Sequence, residues 1–414
     1  MKRILAFLLL VTAASCIDPY ILNLKNYKSL LVVEGLITNE NSSYKIKLCR
    51  TTSQVDSAPE MITDANAYII DGDSIKMHLQ NIGEGYYKTD STLFKGVVGQ
   101  TYTLQILTSD GKEYRSEECT MLPVAGIDRI YYEKGEEISG NQGESFTGLE
   151  ILLNSGDAPG MDQYLRWTFE EVWKIILPSP QQNLYTVVND TTFSFPGVAE
   201  VNAVCWKKYQ SDEIITNSVL SGEANSQAGQ QIQFIAPVKS DRLTQEYSIL
   251  VKQYSVSKEE YDFWNNLKKV GEAGGDIFDS QPYTVISNIH NVNDANEKVL
   301  GFFEVSAVSQ KRIYLTAHEL DPLYLPHYNN GCVEIEKSPD DWPLPPRPSF
   351  DEIYHMYMDN GNYAFVMPVL TAGTIPEGHV STRNLLKLVF ATNVCALCEY
   401  SSFSEKPDFW IDLN

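Results

Sequence analysis

Beyond its first thirty residues the chain repeatedly sets apolar side chains at two-residue intervals, the period of a strand with one face in a core. Leu30–Ile37 is a near-continuous apolar run and predicts a buried strand, and Tyr44–Leu48 alternates strictly. Ala67–Ile70, Gly85–Tyr87 and Gly99–Ile106 read as further strands, separated by the turns Asp71-Gly72 and Ser109–Lys112. Short strands at roughly 8–12-residue spacing, punctuated by Gly and Asp, predict an immunoglobulin-like β-sandwich. We place it at residues 29–122, with a junction at Pro123–Gly126. Residues 123–414 are then a larger antiparallel β domain, so the fold class is mainly β.

That second region opens with Ile127–Tyr132 and contains the most distinctive strand, Tyr164–Trp173. Leu165, Trp167 and Phe169 share one face of it and Arg166, Thr168 and Glu170 the other, where Arg and Glu pair with each other or meet a ligand. Ile232–Ile235, Tyr247–Tyr254, Gly301–Val308 and Arg312–Leu315 continue the sheet pattern. One helix is predicted near 257–270: Ser257 and Glu260 form a capping box, Tyr261, Trp264 and Leu267 make a packing stripe, and Gly271 stops it. Residues 338–348 hold five prolines, and an extended segment of that kind presents Trp342 either to a partner or as a strap over the chain's own sheet.

The first sixteen residues follow a different rule. Lys2 and Arg3 precede the apolar run Ile4–Val11, and small residues lead to Cys16. This is a signal peptide over residues 1–15, too short to span a bilayer. Ala13-Ala14-Ser15-Cys16 has the form of a bacterial lipobox, so Cys16 is the expected lipidation site, carrying diacylglyceryl and an N-acyl chain such as palmitate. Each buried methylene contributes roughly 0.8 kcal/mol, and two or more chains hold a protein at a membrane stably. An ordinary signal peptide followed by a chance cysteine is the alternative. Residues 16–28, including Pro19, form a tether.

Composition narrows the function. A formal charge of −22 opposes phosphate backbones, so nucleic acid is not an expected partner. Cys49, Cys119, Cys205, Cys332, Cys395 and Cys398 are six further cysteines, an even number suited to disulfides after export, with 15 possible connectivities. Free thiols and a redox or zinc role for Cys395-Ala-Leu-Cys398 stay open alternatives. Asn291–Glu297 is oxygen-rich but lacks calcium-loop spacing and reads as a turn. Gly274-Gly275-Asp276 follows a helix, the wrong side for cradling phosphate. No nucleophile elbow, Walker loop or zincin helix occurs, so we expect no enzyme, no cofactor and no metal.

Several segments together resemble a known family. Leu31–Ile37, Asp110–Tyr114, Tyr164–Trp167 with Glu170-Glu171, Cys205-Trp206 and Gln253–Ser255 leading into Tyr261–Trp264 carry the likeness. Pro282-Tyr283 with Asn288-Ile289, Val299–Phe303, Lys311–Ile313 and Lys406–Trp410 extend it. The chain resembles the Bacteroidota lipoproteins of the domain of unknown function 4249. The resemblance implies an outer-membrane lipoprotein facing the cell surface that accompanies a TonB-dependent transporter, without catalytic residues. Asp56-Ser-Ala58, Asp73-Ser-Ile75, Asp90-Ser-Thr92 and Asp190-Thr-Thr192 look like O-glycosylation sites of exported proteins in that phylum. The expected function is thus an accessory or substrate-binding partner of the transporter. A structural or adhesive surface protein is the alternative, with a glycan or peptide hydrolase behind it.

Overall fold

The computed structural model describes residues 29–53, 58–139, 143–156, 162–181, 186–189, 192–195, 203–219, 229–273, 285–371, 378–381, 384–398 and 402–411. The signal peptide, Cys16, the tether, Gly274–Asp276 and Pro282-Tyr283 lie outside these residues. The chain is mainly β, as its alternation predicts. No helix among the described residues is long and apolar enough to cross a membrane.

The chain divides into two units: Met1–Pro123 with Ser255–Ala307, and Val124–Tyr254 with Val308–Asn414. The expected continuous second domain is not what forms, because residues 255–307, including the predicted helix, group with the N-terminal strands. The reason lies at the sheet edges. In the first sheet the strand order is Val299–Val305, Leu31–Ile37, Lys45–Arg50, Tyr86–Lys88, Gln80–Gly83, with Glu60–Met61 added on Lys45–Arg50. Leu31–Ile37 would otherwise expose its backbone along one side; Val299–Val305 covers it in parallel, Leu31 opposite Val299 through Ile37 opposite Val305. In the second sheet Ile289–Asn291 covers the edge of Glu113–Ser116, here antiparallel, followed by Thr101–Leu107, Asn66–Asp71 and Lys76–His78.

Leu31, Val33, Ile37, Ile46 and Leu48 from the first sheet, and Ala67, Ile69, Leu104, Ile106 and Tyr114 from the second, are buried and supply this unit's core. Gly301 sits at φ +85°, and a Cβ there would collide with the Val33 carbonyl, so the parallel pair depends on glycine. The helix spans Lys258–Ala273 and runs through Gly271 instead of stopping at it. Its inward face is Glu260, Phe263, Trp264 and Leu267; Phe263, not Tyr261, is the deeply buried aromatic.

In the other unit, Gln163–Ile176 is the centre of a six-stranded sheet, with Glu246–Val256 on one side and Val204–Gln210 and Ile215–Val219 on the other. Leu165, Trp167 and Phe169 are buried together, as the alternation predicts. They pack with Leu149, Ile151 and Ile232 of the three-stranded sheet Ile127–Ser139, Glu144–Ser155, Gln230–Ile235. A smaller sheet of Glu334–Lys337, Leu385–Thr392 and Tyr363–Leu370 carries a helix, Phe350–Met358, beyond the one helix expected. Its start is the capping box Ser349 with Glu352, a signal present in the sequence but hidden behind the prolines.

Candidate functional site

Four of the six cysteines are joined: Cys205 to Cys398 and Cys332 to Cys395. The closely spaced Cys395 and Cys398 therefore bind different distant partners, which removes the redox-pair and zinc readings. Cys49 and Cys119 are free, correcting the expectation that all six are disulfide candidates. They lie on strands of different sheets, Cys49 opposite Val32 and Cys119 opposite Tyr102. Burial, and next the Glu260 carboxylate, pushes the Cys119 thiol up to about 12, so it is a poor nucleophile.

Trp342 packs against the small sheet's core of Ile353, Phe365 and Phe390, so it straps its own sheet and is not held out as a partner contact. Arg166 and Glu170 do not pair with each other: Arg166 lies over the Tyr254 ring at 4.9 Å, and Glu170 meets Arg312 at 3.3 Å. In the Asn291–Glu297 turn, the Glu297 carboxylate accepts hydrogen bonds from Lys112 at 2.9 Å, Tyr114 at 2.8 Å and Asn291 at 2.7 Å. A carboxylate so occupied has no oxygen lone pairs set aside for calcium, and no metal-ligating group of three His, Cys, Asp or Glu side chains occurs among the described residues. Ser74 and Ser91 of the expected glycosylation motifs are exposed.

The most buried carboxylate among the described residues is also internally committed. Glu171 accepts from the Tyr247 hydroxyl at 2.6 Å and Arg242 Nε at 3.0 Å, and the Arg242 guanidinium lies 4.7 Å from the Trp173 ring centre. Burial first, and then the adjacent carboxylate, pushes the Tyr247 phenol well above its ordinary value. A cavity of about 580 Å³ in the same unit is lined by Ile175, Leu177, Lys207, Asp241, Tyr328 and Asn393. Its charges are already matched, since Lys207 pairs with Asp241 at 2.7 Å and the Trp173 indole donates to the same carboxylate.

A second, more apolar surface lies in the N-terminal unit. It is a groove of about 650 Å³ on the outer face of the first sheet, beside the helix Lys258–Ala273. Strand alternation builds it. Leu31, Val33 and Ile37 turn inward, which sends Val32, Glu34 and Leu36 outward; Ile46 and Leu48 inward sends Lys45 and Lys47 outward. Across the sheet these align with Leu300, Phe302 and Glu304 on one side and Tyr86 on the other. Phe263, Trp264 and Leu267 form the helical wall. Glu34 takes Lys47 at 3.3 Å, and Glu304 accepts the Trp264 indole N–H at 3.1 Å. The sequence marks Leu31–Ile37, Tyr44–Leu48, Gly85–Tyr87, Tyr261–Trp264, Leu267 and Val299–Phe303 as strands, packing positions or points of resemblance, and none of these groove residues for binding. The Lys-Ile-Lys alternation at 45–47 was the readable trace.

Fold and site together define a two-unit β protein with both disulfides in one unit and an apolar groove in the other. The chain belongs to the family described as Domain of unknown function (DUF4249), which matches residues 17–312. The match ends before the small sheet, Cys332, Cys395, Cys398 and the Lys406–Trp410 segment. Comparison with curated proteins finds no match.

Proposed function

We propose that this protein is a lipid-anchored outer-membrane protein of the Bacteroidota type, held through Cys16 and facing the cell surface. There it serves, without a covalent step, as an accessory or substrate-binding partner of a TonB-dependent nutrient transporter. The observation that carries the reading is the N-terminal order of Lys2-Arg3, apolar run, small residues and Cys16. Family membership supports it. So does the disposition of charge: Glu171, Glu297 and Asp241 hold internal donors, which suits scaffolding more than acid–base work, while the groove stays open.

Expressed in a native-type host, the mature N-terminal peptide should carry thioether-linked diacylglyceryl, and Cys16→Ala should release the protein from membranes. Capture from detergent-solubilised membranes should bring down a large β-barrel. An unmodified N-terminus would refute the lipid anchor, and capture of envelope polymer alone, or of nothing, would refute the accessory role and favour the adhesive one. Turnover of a glycan or peptide, abolished by one carboxylate substitution, would establish a hydrolase instead.

A further inference from the structure

The first sheet places two lysines side by side with no acid to separate them. Lys45 is directly opposite Lys88 in the antiparallel register, with Ile46 opposite Tyr87 next along. Ile46 and Tyr87 are fully buried, so the lysines on the alternate positions both point to the outer face. Like charges directly opposite each other destabilise a sheet by a few tenths to about 1 kcal/mol. Glu34 is engaged with Lys47 and Glu304 with the Trp264 indole, while Asp90 accepts from the Thr92 hydroxyl at 2.7 Å and reaches Lys88 through its field without a direct ion pair. Among the described residues, neither Lys45 nor Lys88 makes an ion pair.

Lysines are common on exposed sheet edges, where they discourage aggregation. That explanation does not reach these two. Lys45–Arg50 lies between Leu31–Ile37 and Tyr86–Lys88, and Tyr86–Lys88 lies between Lys45–Arg50 and Gln80–Gly83. Both are interior strands. The pair is also conspicuous in a chain of net charge −22. Lys45 lines the apolar groove, whose body is Val32, Leu36, Leu300, Phe302, Phe263 and Trp264. The cross-strand rows run from apolar to cationic: Leu300 beside Val32, then Phe302, Glu34, Lys47 and Tyr86, then Glu304, with Lys45 and Lys88 on the strands beyond.

From this juxtaposition we infer that the groove binds an anionic amphiphile, a molecule with one apolar aliphatic or aromatic body and a single terminal carboxylate. The body lies among the groove's apolar side chains and the carboxylate bridges Lys45 and Lys88. Its volume falls within the roughly 300–1,000 Å³ of small-molecule sites, and a few placed charges on an apolar lining are what fix ligand orientation there. A carboxylate between two ammonium groups replaces a repulsion by two charge-assisted hydrogen bonds. This deepens the proposed function, in that it rests on reading the protein as a binder, but it does not rest on the lipid anchor.

The test uses the full chain carrying Cys16→Ala, which needs no detergent, titrated with decanoate and with its uncharged methyl ester below the concentrations at which either aggregates. Trp264 is the only tryptophan in its unit, so a fluorescence change lost in Trp264→Phe locates the ligand. Calorimetry should show saturable one-to-one binding of decanoate about tenfold or more tighter than the ester, the difference expected for charged hydrogen bonds. Lys45→Gln with Lys88→Gln should bring the two affinities together while circular dichroism and the melting temperature hold. Equal affinities in the parent chain, a preference that survives the double substitution, or no saturable binding would each overturn the proposal. Binding to anionic phospholipid vesicles without binding decanoate would overturn it in favour of a lipid-surface contact. Barrel capture from membranes is a separate readout, so a negative titration with positive capture removes this ligand and leaves the proposed function standing.

Discussion

Both disulfides belong to the second unit, and their sequence separations set how much each should stabilise it. Cys205–Cys398 spans 193 residues and Cys332–Cys395 spans 63, the second nested within the first. With the inner bridge intact, the outer loop is short-circuited to about 130 residues. Chain-entropy reasoning then gives about 5 kcal/mol for the outer bridge and about 4 for the inner, as upper values. The near equality follows from the logarithm: doubling a loop adds only about 0.6 kcal/mol. For a unit of this size 1 kcal/mol moves the midpoint by roughly 2–4 °C, so either Cys→Ser pair should lower melting by about 10–20 °C. Intrinsic fluorescence reads this well, because Trp167, Trp173, Trp206, Trp342 and Trp410 all lie in the second unit. Unreduced, denatured protein should alkylate at Cys49 and Cys119 alone among the six cysteines after Cys16, and native protein at neither in a short pulse. A shift under about 3 °C, or a third reactive thiol, would refute the pairing and the loop argument together.

Four further outcomes follow from single side chains. Burial pushes the Glu297 carboxyl up, but hydrogen bonds from Lys112, Tyr114 and Asn291 outweigh it and hold the pKa below 4.5. Its stabilising contribution is therefore present above that value and lost as pH falls through the lower folded one; Glu297→Gln should flatten acid unfolding of the N-terminal unit below about pH 4.5, read by calorimetry. Glu171→Gln leaves the Arg242 charge without its buried partner and should cost about 3–5 kcal/mol in denaturant unfolding. Gly301→Ala forces a left-handed backbone and a clash with Val33, so hydrogen exchange should speed along Val299–Val305 and Leu31–Ile37. Lys88→Glu should raise stability by a few tenths to about 1 kcal/mol by pairing with Lys45 while abolishing the carboxylate preference; a loss of stability would show that the two side chains do not face one another.

Local alternation made the individual strands legible. Leu165, Trp167 and Phe169 announce their buried face, and Ser257 with Glu260 announces the helix. What alternation does not encode is which strand lies beside which. Leu31–Ile37 accepts a parallel neighbour from far along the chain, so residues 289–305 completed the N-terminal unit instead of the larger one. Parallel pairing leaves no hairpin turn in the sequence to betray it. The disulfides were hidden for a related reason. Cys395 and Cys398 are three residues apart on the small helix Asn393–Ala396 and just beyond it, yet Cys395 reaches back to Cys332 and Cys398 to Cys205.

The candidate site was illegible for the same reason. Lys45 and Lys47 share a face by period alone, but the meeting with Lys88 requires the register of Tyr86–Lys88 against Lys45–Arg50. That register is fixed from the opposite side of the sheet: moving it by one residue would bring Lys45 or Lys88 into the position now filled by Ile46 or Tyr87, burying a charge that has no partner. The core therefore determines where the two outward positions lie, whereas nothing in the core determines that both should be lysine. An acid at either position would satisfy the sheet better. The electrostatic disadvantage is local, sits on interior strands, and adjoins an apolar groove, and a bound carboxylate accounts for all three features at once.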